Sequence, residues 1–177
     1  MTAGVVVRRC TAAEVDLIAS REPVGKDYAR ATFARQESGA CCYLVAWLDD
    51  EPVGSGELEW APVPELKNLH VELARRGKGV GTAITAAAER EAASVGRLAI
   101  GVGTDNPDAR SLYERLGYRS TGRSETYSYE YVDDAGVRHS AVETAEYLEK
   151  DLAASAMTSG SPLRSTASHA LRSTDLP

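Results

Sequence analysis

One segment narrows the possible folds more than any other: Leu69-His70-Val71-Glu72-Leu73-Ala74-Arg75-Arg76-Gly77-Lys78-Gly79-Val80-Gly81-Thr82. It reads as an apolar strand, a basic glycine-rich turn and the start of a helix. Backbone amides in the first turn of a helix have no internal partner and lie at the positive end of the macrodipole, so such a junction is ready for an anion. Gly77, Gly79 and Gly81 remove the side chains that would hold a phosphate away, while Arg76 and Lys78 add positive charge. A diphosphate is the expected occupant, with Val80 and Thr82 offering main chain to the same cradle.

Other phosphate loops fit less well. A P-loop needs Ser or Thr after its GK pair, whereas Lys78 is followed by Gly79. A dinucleotide fingerprint needs a third glycine where Thr82 stands. A glycine turn without a ligand is the plain alternative.

The flanking pattern predicts a mixture of helices and strands. A first strand is expected at Val5 to Arg8, then a helix from the capping signal Thr11-Ala12-Ala13-Glu14 to about Ser20, and a second helix from Lys26 to Ser38 ended by Gly39. Strands at 41–48 and 53–60 flank Asp49-Asp50-Glu51-Pro52, which predicts an antiparallel hairpin, and Leu66 to Leu73 supplies the fourth strand. Gly79 to Val95 carries Val80, Ile84, Ala87, Ala88 and Ala92 at helical spacing, and its small residues predict close packing on a sheet. Leu98, Ile100 and Val102 alternate with Ala99, Gly101 and Gly103, giving a strand with one nearly bare face. Asn106-Pro107-Asp108 is a strong helix start, and Gly117 ends that helix. Tyr127, Tyr129 and Tyr131 alternate along a strand that turns at Asp133-Asp134-Ala135-Gly136 and returns within 137–152; sheet packing is their expected role.

Composition sets the outer limits. With 177 residues and 43% apolar content the chain can bury one core, so a single domain over residues 1–152 is expected. From 153 to 177 serine, threonine, alanine and glycine dominate without periodicity, which predicts a disordered tail. Twenty basic against 26 acidic residues give a net charge of −6, which argues against a nucleic-acid partner. No run reaches the roughly 18 to 20 apolar residues that a bilayer span needs, and Met1-Thr2-Ala3-Gly4 does not open an export signal, so no membrane partner and a cytoplasmic location are expected. Cys10, Cys41 and Cys42 form neither a disulfide framework nor a CxxC pair, so reduced, buried thiols and no metal are expected.

Two motifs together resemble the GCN5-related N-acetyltransferase (GNAT) family. The family signature Q/R-x-x-G-x-G/A stands here as Arg76-Gly77-Lys78-Gly79-Val80-Gly81, and its later Asn-x-x-Ala-x-x-Leu-Tyr-x-x-Leu-Gly-Tyr run as Asn106, Ala109, Leu112, Tyr113, Leu116, Gly117 and Tyr118. The resemblance implies an α/β fold: a largely antiparallel twisted sheet flanked by helices, its fourth and fifth strands splayed around the pantetheine arm of acetyl-coenzyme A. It further implies acetyl transfer from that co-substrate to a primary amine of a small molecule or protein, with the N-terminal half shaping the acceptor pocket. Val71 and its neighbours would meet the pantetheine on one side, with the bare Gly101 and Gly103 face on the other, and a backbone amide near Val71 would polarise the carbonyl. Tyr113 matches the family tyrosine near the sulfur, often assigned as general acid. Asn106 would contact the coenzyme in addition to capping its helix.

The base is less determined. Glu65, at the head of the fourth strand, is the first candidate; Glu57, Glu59 and Glu72 are others, each expected to be a solvated surface group, and His70 could also serve. Glu57 and Glu59 mildly favour a polycationic amine. A coenzyme-binding module without catalysis, in which Tyr113 only packs, is the second reading. The sequence leaves the oligomeric state open, a homodimer among the states it allows.

Overall fold

A computed structural model describes residues 4–133 and 135–153. The tail expected from residue 153 therefore lies, from 154 on, outside the described residues, as does Asp134 of the last predicted turn. The order is β1 (Val6–Arg9), α1 (Val15–Ala19), α2 (Tyr28–Glu37), β2 (Cys41–Leu48), β3 (Glu51–Glu59), β4 (Glu65–Val71), a 3-10 turn (Leu73–Arg75), α3 (Val80–Glu91), β5 (Arg97–Gly103), α4 (Pro107–Arg115), β6 (Arg119–Val132) and β7 (Arg138–Asp151). The strands form one sheet in the order β1-β2-β3-β4-β5-β7-β6. Every pairing is antiparallel except that of β4 with β5. Among the described residues no helix is long and apolar enough to cross a membrane.

Each face of the sheet buries its own cluster. On one face Leu44, Val53, Leu58, Leu66, Leu98, Ile100 and Leu148 pack against Val80, Ile84, Ala87 and Ala88 of α3 and Tyr113 of α4. Two glycines of β3 let α3 come close: a Cβ at Gly54 would lie 3.1 Å from Val80 Cγ1, and one at Gly56 would lie 2.9 Å from Ile84 Cγ2. On the opposite face Tyr43, Val45 and Trp47 pack against Val15, Ile18 and Ala29 of α1 and α2. The three cysteines are buried and free, and burial pushes the thiols of Cys10 and Cys41 up to about 11.

Several boundaries differ from expectation for local reasons. The first helix has only five residues. The Thr11 amide does donate to Glu14 (2.9 Å), but Glu14 also pairs with Arg8, and residues 12–14 form a turn rather than a helical one. Asp49 and Asp50 take φ of 50° and 62°, a conformation short acidic side chains tolerate, so two residues close the hairpin and β3 resumes at Glu51. The expected fourth strand ends at Val71, because Leu73 already belongs to the 3-10 turn.

Candidate active site

The glycine-rich loop before α3 has the geometry its sequence demands. Gly77 and Gly79 have φ of 71° and 82°, and Gly79 caps α3 with no side chain satisfying the amides of the first turn. The first bond into the helix runs from the Ala83 amide to the Gly79 carbonyl (2.9 Å), leaving the preceding amides facing outward. A Cβ at Gly77 or Gly79 would meet nothing within 4 Å, so these glycines are required by their conformation and not by packing, and they leave open space before the helix. That space belongs to a cavity of about 1250 Å³ walled by this loop, β4, β5 and α4. Of the expected contacts on the loop only Lys78 is off the wall: it is exposed between two left-handed glycines that turn the chain on either side of it. Arg75 and Arg115, which the motifs did not single out, do line the cavity. Arg76 lines it too, with Nε donating to the Val71 carbonyl (3.2 Å), which ties the loop to the end of β4.

The cavity reaches the middle of the sheet because β4 and β5 part. They pair only at Glu65↔Ala99 and Leu66↔Ile100. Immediately afterwards β4 bulges: β3 advances two residues from Ser55 to Glu57 while β4 runs three, from His70 to Lys67, and Asn68 sits at φ 53°. An extra residue on one strand bends it and withdraws a stretch of main chain from the ladder. Val71 still pairs with Gly54 of β3, and its other side faces the gap.

Asn106 caps α4 as expected, its Oδ1 accepting from the Ala109 amide (3.1 Å), and it lies at the cavity wall. Tyr113 of the same helix is 6% exposed, packs edge-on against Tyr118 and lines the cavity. Burial pushes its phenol up to about 12, so it stays protonated. Glu65 is half-buried at the point where β4 and β5 part, and desolvation raises its carboxyl. Gly101 and Gly103 line the cavity, but their face is covered rather than bare: a Cβ at Gly101 would lie 3.3 Å from Glu65 Oε1 and 3.5 Å from Tyr147 Cε1.

A model of the Acetyltransferase (GNAT) family matches residues 12–118. The chain belongs to this family. Among curated proteins none matches this acetyltransferase. Solved structures share its fold at low identity. The ribosomal-protein-S18-alanine N-acetyltransferase of Escherichia coli is 16% identical, with a TM-score of 0.62 over 90% of this chain and 99% of its own. A GNAT family acetyltransferase from Elizabethkingia anophelis with acetyl-CoA bound is 19% identical, with a TM-score of 0.57 over 84% and 98%. The PaiA N-acetyltransferase of Thermoplasma acidophilum in complex with coenzyme A is 15% identical, with a TM-score of 0.56 over 84% and 99%.

On the sheet face opposite α3 the acetyltransferase has a second, mainly apolar cleft of about 390 Å³, walled by the α1–α2 loop and by Tyr28, Tyr43, Val45 and Pro52. Asn68 and His70 line both this cleft and the larger cavity, so the two meet at the β4 bulge. Partial desolvation and, after it, the charge of Arg76 push the His70 imidazolium below its usual range, which favours the neutral ring.

The other carboxylates expected to be solvated are not all so. Glu57 is 1% exposed and pairs with Arg35; Glu59 pairs with Arg35 (3.0 Å) and Lys67; Glu72 lies 3.6 Å from Arg21. With their charge met inside the protein, Glu57 and Glu59 give no reason to expect a polycationic acceptor. The tyrosine stripe also differs from expectation. β6 is an edge strand, and Tyr127, Tyr129 and Tyr131 are 40–44% exposed, forming a ladder with centroids 6.0 and 6.1 Å apart.

Proposed function

We propose that this GNAT acetyltransferase moves the acetyl group of acetyl-coenzyme A directly to a primary amine that reaches the β4 bulge from the α1–α2 side. The observation that carries the reading is a helix start with free amides opening into a gap between β4 and β5. The diphosphate sits on the main chain of residues 77–82 beside Arg76, the pantetheine arm runs along Val71, and Asn106 and Tyr113 bound the thioester end. Residues 1–152 form the catalytic unit. The three free, buried cysteines support a reducing, cytoplasmic setting.

In the transfer a neutral amine attacks the thioester carbon, the carbonyl becomes an oxyanion, and the C–S bond breaks to release the thiolate. A β4 amide freed by the bulge is suited to meet the oxyanion. Tyr113 faces a mismatch as a full proton donor. Its phenol, at about 12, is a weaker acid than a thiol near 8.5, so complete transfer would be uphill by about 5 kcal/mol. Tyr113 therefore acts by donating a hydrogen bond to the departing sulfur; the amine's proton passes first to a base, and the protonated base returns it to the thiolate.

Glu65 is one candidate to take that amine proton, since its raised pKa brings it towards neutrality. A specific observation favours His70 as the second: its neutral form is favoured, and it lies where the acceptor cleft meets the donor cavity. The acceptor is an amine with an apolar body, because the cleft behind the bulge is mainly apolar, and a small molecule or a chain terminus both fit that description. Thiol release from acetyl-coenzyme A in the presence of a panel of amines tests the whole reading. Tight coenzyme binding without turnover on any amine would replace it with a binding module.

A further inference from the structure

Glu57 takes no part in the steps above, yet it is the most deeply buried carboxylate among the described residues, at 1% exposure. A buried carboxylate is tolerated only when donors surround it, and three converge here. Arg35 of α2 pairs with Oε1, the Tyr28 hydroxyl lies 3.4 Å from Oε2, and Asn68 Nδ2 donates to Oε2 at 3.2 Å. Asn68 is the residue at φ 53° within the β4 bulge, two positions after Leu66, the last residue paired with β5. A second tie runs alongside, since Arg35 also holds Glu59, and Glu59 holds Lys67, the neighbour of Asn68.

We propose that Glu57 is a positioning residue: through Asn68 it locks the left-handed step of β4 that aims main-chain amides at the thioester. This rests on the proposed function. A non-glycine residue holds a positive φ only when something fixes it, and asparagine does so more readily than most. Here the fixing group is a charged acceptor, itself anchored by Arg35 to α2, so the bulge takes its shape from the helix layer that also walls the acceptor cleft.

Four readouts test this: turnover, acetyl-coenzyme A affinity by calorimetry, thermal melting, and the crystal structure of each variant. In Glu57→Gln the new amide cannot accept from both Arg35 and Asn68, so turnover should fall on the order of tenfold or more while coenzyme affinity stays within about twofold. In the Asn68→Gly background glycine takes the left-handed step unaided, so adding Glu57→Gln should cost far less turnover than it does with Asn68 present. An equal loss in both backgrounds overturns the proposal, because Glu57 would then act independently of residue 68. Should Glu57→Gln fail to fold, Asn68→Val leaves the Glu57–Arg35 pair intact and disfavours the left-handed step. It should lose turnover at unchanged coenzyme affinity, and wild-type turnover would refute the idea. The crystal structures answer even if no amine is ever acetylated. Residue 68 leaving positive φ in Glu57→Gln supports the lock, and an unaltered bulge sinks it while leaving the transferase reading untouched.

Discussion

Replacing Gly79 by alanine separates the ligand's demand on the helix start from the fold's. The residue sits at φ 82° and ψ 3°, where a side chain costs about 1–2 kcal/mol, so melting should fall by about 2–8 °C in a chain of this size. No protein atom lies within 4 Å of the new methyl, which instead enters the space before the free amides. Displacing a phosphate from one charge-assisted hydrogen bond costs about 1.5–3 kcal/mol, or about 10- to 150-fold in dissociation constant. Gly96→Ala provides the control: its φ is 81°, its Cβ also meets nothing within 4 Å, and it lies off the cavity wall beyond α3. Both variants should melt early, and calorimetry with acetyl-coenzyme A should find weakened binding in Gly79→Ala alone. Equal affinity in the two variants would refute the assignment of the loop.

Arg76→Glu places a negative charge beside the same amides and breaks the tie to the Val71 carbonyl; it should abolish measurable coenzyme binding, which titration calorimetry would register. Tyr113→Phe keeps the buried ring and removes the donor, so steady-state turnover should drop on the order of tenfold or more with coenzyme affinity nearly intact; unchanged turnover would remove Tyr113 from the mechanism. Because the Tyr113 phenol is pushed up to about 12, its ionisation should cause no alkaline loss of turnover below about pH 10. A base must be deprotonated, so kcat/KM should rise with pH through the base's pKa. If His70 is the base, the rise lies below the ordinary histidine value, and His70→Gln abolishes it while Glu65→Gln does not. The opposite pattern would assign the base to Glu65, with the rise above the ordinary carboxylate value.

The legible parts of this molecule are those written in local chemistry. The cap at Asn106, the glycine stop at Gly117 and the turn from 76 to 81 each depend on residues a few positions apart, and they stand where the sequence predicts them. The bulge at Asn68 depends on Glu57 and Arg35, 11 and 33 positions away, so nothing local announces it. For the same reason Glu57 reads as a solvated group on an alternating strand although it is buried: its partners come from another layer. The charge of Lys78 is visible in the sequence, whereas the exposed placement of its side chain, off the cavity wall, is not. Alternation alone predicts packing for the tyrosine stripe, because it cannot show that β6 is an edge strand.

The seam between β4 and β5 is only two residue pairs long, so the two halves of the sheet are stitched at one end and open along the rest. Such a protein is, in effect, one strand short. An extended, amide-bearing arm laid in that opening would complete the ladder, so donor binding should slow hydrogen exchange on both sides of the seam and raise the melting point in proportion to the logarithm of its concentration.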